Sequence, residues 1–92
     1  MKQETAEGVA QEVLIWLAQD EDLLPVFLGA TGADASDLRN AAQDSVFLGS
    51  VLDFLLMDDA WITRFCTTSN YAYDIPQRAR QALPGGEEVH WT

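Results

Sequence analysis

Two stretches of twenty residues, Val13 to Gly32 and Val51 to Asn70, align without a gap at a separation of 38 positions. Val13, Leu14, Leu17, Asp20 and Phe27 recur as Val51, Leu52, Leu55, Asp58 and Phe65. Trp16, Glu21, Leu24 and Thr31 are replaced in kind by Phe54, Asp59, Ile62 and Ser69. A block that recurs at this spacing is ordinarily one supersecondary unit that buries its apolar face against a copy of itself. The pattern therefore predicts an all-α fold, a compact bundle of five to six helices built from two tandem repeats at about 5–43 and 44–83, with no sheet. Residues 1–86 are expected to form a single helical domain and 87–92 a C-terminal tail.

The spacing of apolar residues fills in this plan. Ala6, Val9, Ala10, Val13, Leu14, Trp16 and Leu17 recur every three or four positions, which predicts helix one over about Thr5–Gln19 with Thr5 as its N-cap. Asp22 is expected to cap a short second helix ending near Gly29–Gly32, which places Pro25 in the first turn, where a missing amide hydrogen costs nothing. Asp34 or Ser36 would cap a third helix that turns Leu38, Ala41 and Ala42 inward. Asp44 then opens the most apolar segment, with Phe47, Leu48, Val51, Leu52, Phe54 and Leu55 in one wide stripe,. That helix is expected to be central, with Gly49, Ser50 and Asp53 on its other side and Gly49 permitting a close crossing. Asp58 would cap helix five, with Trp61, Ile62 and Phe65 inward and a loop at Thr67–Tyr73. Asp74 and Gln77 resemble a capping box for helix six, which Pro76 suits and Pro84-Gly-Gly ends.

Charge and cysteine usage narrow the function classes. Five Lys and Arg against fifteen Asp and Glu give a formal charge of −10, which argues against nucleic acid and anionic membranes as partners. The longest apolar run, Val13 to Ala18, is too short to span a bilayer, and Met1–Gly8 lacks a signal-peptide core,. A single cysteine, Cys66, excludes an internal disulfide, so a reducing cytoplasm is the expected location,.

No chemical constellation outweighs its structural explanation. The acidic groups at Asp20-Glu-Asp22 and Asp58-Asp59 recur at equivalent positions and invite a metal or dyad reading. Each opens a helix, where an aspartate accepts hydrogen bonds from free amides and meets the positive end of the dipole. No metal and no cofactor are expected. Cys66 occupies the slot of Leu28 in the first copy and reads as a buried small hydrophobe, while the lone His90 lies in the tail. Trp16 and Trp61 match Phe54 and Leu23 and are expected in the core. Trp91 has no counterpart, and it either anchors the tail or contacts a partner.

The copies also differ at one outward position, Ile15 against Asp53. An apolar residue there calls for a cover, either the tail through Val89 or Trp91 or a partner helix. Ile15, Val89 and Trp91 are therefore the candidate contact residues.

The stretches Ala18–Gly32, Val51-Leu-Asp-Phe-Leu-Leu56 and Ala82-Leu-Pro-Gly-Gly86 with His90-Trp91 together resemble a family of short bacterial proteins, mainly alphaproteobacterial, classed as a domain of unknown function. The resemblance covers most of the chain and implies an all-helical cytoplasmic protein, with no activity attached. The chain departs from the family pattern where Glu21 and Ser45 replace a proline after the aspartates that open helices two and four.

The expectation for function is a non-enzymatic protein-protein interaction module, with another protein as partner and the chain itself a monomer or weak homodimer. The alternative is an acidic regulator that mimics nucleic-acid charge and occupies a basic protein. An enzyme is the third and weakest reading.

Overall fold

The computed structural model describes residues 1–85. Its described elements are α1 (Gln3–Ala18), α2 (Leu23–Thr31), a 3-10 turn (Ala35–Asp37), α3 (Leu38–Ala41), α4 (Ser45–Leu55), α5 (Asp59–Ser69) and α6 (Ile75–Gln81). The all-α bundle expected from the sequence is what forms. Helices α1, α4 and α6 pack against one another, and α2 lies on α1 and α4.

The core follows the apolar periodicity. Ala6, Val9, Ala10, Val13, Leu14 and Leu17 of α1 meet Leu48, Val51, Leu52, Phe54 and Leu55 of α4, and Leu23, Phe27, Ile62, Phe65, Cys66, Ala79 and Leu83 complete the buried set of hydrophobic residues. Phe27 sets its ring edge-to-face against Phe47 and Phe54, and Phe54 stacks on Trp61. Trp16 and Trp61 are only half-buried, which corrects the core assignment: each lies at the seam between α5 and its neighbour, against Phe65 and Phe54 respectively. Phe47 is likewise half-buried.

Hairpin devices recur at equivalent positions. Asp20 Oδ1 accepts from the amides of Asp22 and Leu23, and Asp58 Oδ1 from those of Ala60 and Trp61. Thr31 donates to the Phe27 carbonyl and Ser69 to that of Phe65. The next residues, Gly32 and Asn70, both take left-handed backbone at φ 73 and 63 and close their helices,. Past these turns the halves differ: the 3-10 turn and α3 bury no residue, whereas α6 buries Pro76 and Ala79.

Several local expectations are corrected. Helix α1 begins before Thr5, at an exposed end whose amides water can satisfy, and its N-cap Lys2 makes no side-chain bond. Asp22 occupies the N-cap position of α2, yet Asp20 supplies the accepting carboxylate. Asp74 makes no capping bond, so the capping box does not form; its carboxylate stands 3.9 Å from Arg78 instead. Helix α5 runs on to Ser69, three residues into the expected loop. Gly49 is buried, and a Cβ there would stand 2.9 Å from Arg80 Nη1. The missing side chain thus admits the guanidinium of a neighbouring helix, and Arg80 grips Asp53 through Nε and Nη2 at 2.6 and 3.2 Å.

The Asp20 turn carries a pH signature. The Leu23 amide holds the Asp20 carboxyl below its ordinary value of 3.8, against the opposing effect of burial and with help from the Asp22 amide and Arg64. A depressed folded pKa stabilises the fold above the unfolded value and is lost as pH falls through the folded one. Asp20→Ala is therefore expected to lower Tm by several degrees at pH 7, with the gap to the parent closing below pH 3.8. Thermal melts of both proteins between neutral pH and about pH 2.5 check this, and a gap that stays constant with pH would contradict it.

Candidate functional site

Of the three candidate contact residues, Val89 and Trp91 lie outside the described residues, as does His90. Ile15 is described, and it stands 57% exposed. It sits one helical step from the buried Leu14, so α1 must bury Val13, Leu14 and Leu17 and turn Ile15 to solvent,.

Ile15 forms the ridge between two grooves. On one side α1 meets α5, with Trp16 and Phe65 as the floor and Glu12 and Gln19 at the rim. On the other, α1 meets α3 in a groove of about 520 Å³ lined by Leu14, Ala18, Leu38 and Ala42, with Arg39 at its edge. Gln11 donates to the Ala42 carbonyl at 3.1 Å and ties the α3 end to α1. Leu38, Ala41 and Ala42, expected to turn inward, are none of them buried: Leu38 and Ala42 rest against the core from outside and line this groove instead.

Charges frame the α5 groove. Arg64 binds Asp20 at 2.9 Å and places its guanidinium carbon 5.7 Å from the Trp16 ring centroid. The Asp20 turn is thereby joined to α5 beside the Trp16 side of the groove. Burial, followed by the Glu12 carboxylate, pushes the Tyr71 phenol up and keeps it neutral,.

Residues with reactive chemistry stand apart from these grooves. Cys66 is buried, its thiol lies 3.5 Å from the Ala72 carbonyl, and burial with the nearby Asp74 charge pushes its pKa up. A thiol held protonated in this way is a weak nucleophile. Tyr73 donates to Asp59 at 2.8 Å, and this bond raises the phenol pKa. Among the described residues no group of three His, Cys, Asp or Glu side chains is placed to hold a metal ion. No described helix is long and apolar enough to cross a membrane.

Sequence reasoning found the Ile15 ridge through the mismatch with Asp53, but missed the grooves beside it. Their walls come from α3 and α5, whose placement against α1 depends on contacts far apart in the chain, such as Arg64 with Asp20.

The fold and surface define a small acidic all-α domain. The chain belongs to the family described as a protein of unknown function, DUF3572, whose sequence model matches residues 3–86. Comparison with curated proteins and with solved structures finds no match.

Proposed function

We propose that this protein is a non-enzymatic interaction module that receives an amphipathic helix of another protein across the Ile15 ridge. The observation that carries the reading is an exposed aliphatic side chain flanked on both sides by apolar grooves. An amphipathic helix fills such a site with residues three and four apart, one row entering each groove. A net charge of −10 favours a partner with Lys or Arg beside its apolar stripe, which would meet Glu12 at the rim,. A pure charge mimic is less well supported. The carboxylates of Asp20, Asp34, Asp44 and Asp58 are turned onto backbone amides at scattered helix starts, and form no continuous acidic face through those bonds.

Ile15→Asp tests the reading by its sign. The substitution copies the residue at the matching position of the second block and adds a negative charge to an exposed site. A 14-residue helical peptide of Leu and Lys, arranged amphipathically, serves as the probe in calorimetric titration. Docking on the ridge predicts about tenfold weaker binding to Ile15→Asp, roughly 1.4 kcal/mol. Attraction by charge alone predicts equal or tighter binding, and that result would defeat the proposal.

A further inference from the structure

The second exposed apolar surface lies on α2 and α4, and its chemistry differs from that of the Ile15 ridge. Helix α2, Leu-Leu-Pro-Val-Phe-Leu-Gly-Ala-Thr, contains no charged residue. A helix apolar on every side normally lies inside a protein or between two. Here only Leu23 and Phe27 are fully covered. Val26 is 51% exposed, and Pro25, Gly29 and Ala30 also face solvent.

Helix α4 extends that surface. Val46, Ser50, Asp53 and Met57 follow one another at helical spacing and form one outward stripe, with Val46 65% and Met57 74% exposed,. Ala30 and Thr31 of α2 meet Ser50, Asp53 and Met57 in a shared groove, so the two helices present one continuous face.

The polar atoms on this face are already occupied. Thr31 donates to the Phe27 carbonyl, Ser50 to that of Phe47, and both carboxylate oxygens of Asp53 are held by Arg80. A chain of net charge −10 thus keeps an apolar surface on which, among the described residues of α2 and α4, the single carboxylate, Asp53, is neutralised from within.

We propose that this α2/α4 face is the contact through which two copies of the chain associate. A two-fold contact sets each patch against itself, so it must be free of unbalanced charge. Two copies of this chain repel one another across surfaces rich in carboxylates, and the α2/α4 face is where they can meet without that cost. A basic partner finds no unpaired anion there. The pairing is independent of helix capture at Ile15.

Sedimentation equilibrium on the full chain tests the proposal. A reversible dimer is expected that tightens as NaCl rises from about 50 to 500 mM, because salt screens the repulsion between the copies. Val26→Glu and Met57→Glu should each weaken it by about tenfold or more. Ile15→Asp should leave it unchanged. Both sites are exposed, and Met57 lies past the end of α4, so circular dichroism should report the parent helix content. A single 10.2 kDa species up to about 1 mM at high salt would overturn the proposal. So would a dimer loosened by salt, one indifferent to both Glu variants, or one broken by Ile15→Asp. Peptide capture and dimerisation can thus fail separately: Ile15→Asp reads the first, and Met57→Glu the second.

Discussion

Phe27→Ala is expected to remove about 3–5 kcal/mol of stability, a large share of the roughly 5–15 kcal/mol available to a domain of this kind. Phe27 is fully buried and reaches two aromatic neighbours, Phe47 and Phe54, with ring centroids 6.0 and 5.3 Å away. Truncation loses the transfer free energy of the ring, leaves a cavity, and forfeits both edge-to-face contacts. The position matters more than its chemistry alone suggests. Helix α2 spans nine residues and is fastened by only two fully buried side chains. A helix that short has little stability apart from its packing. The variant should therefore also loosen α2, seen as a lower urea m-value if α2 detaches before the rest unfolds. Val26→Ala, one residue away on the solvent side, should stay within about 0.5 kcal/mol. A Phe27→Ala loss below about 1.5 kcal/mol would mean that α2 is not anchored there.

Phe27 also shows how much could be read before the fold was known. It matches Phe65 in the second block, and both are buried, because a recurring aromatic at helical spacing is a demand for core,. Asp44 and Asp58 were equally legible as caps, and Asp34 as one of two choices with Ser36, since the carboxylate and the amides it accepts from are close in sequence. The errors arose where local chemistry offered several equal choices. Three consecutive acids, Asp20, Glu21 and Asp22, can each cap a following helix, and it is Asp20 that Arg64 of α5 also binds. Trp16 and Trp61 were expected to be inside because their partners in the repeat are apolar. Tryptophan is large enough to lie across a seam, and both do so. Gly49 announced a close approach, but no pattern could say that the approaching group would be the Arg80 side chain and not another backbone.

The candidate surfaces were legible to different degrees for a related reason. Ile15 was visible as a departure from the repeat, because one apolar residue stood where its counterpart is Asp53. The α2/α4 face was not. The sequence pattern assigned no role to Val26, Val46 or Met57, and only the packed structure shows that α2 leaves much of its apolar surface uncovered.

Leu83→Ala carries the other large expected effect, about 2–5 kcal/mol in urea unfolding. Leu83 follows the end of α6, beyond the C-cap Ala82, yet it is as deeply buried as the central residues of α4. Arg80 accounts for its placement. The guanidinium fits the space left by Gly49 and binds Asp53 on α4, and its Nη1 donates to the Pro84 carbonyl at 3.1 Å. With its side chain only 16% exposed, Arg80 clamps the chain just after Leu83 and holds that side chain against the core. Gln81→Ala, exposed on the same turn, should change stability by less than about 0.5 kcal/mol,. Arg80→Met keeps an apolar stem but cannot bind Asp53 or Pro84, so it should reproduce part of the Leu83→Ala loss. It should also leave the Asp53 carboxylate unpaired on the α2/α4 face and weaken association there. A Leu83→Ala variant as stable as the parent would show that Leu83 rests on the core without supporting it.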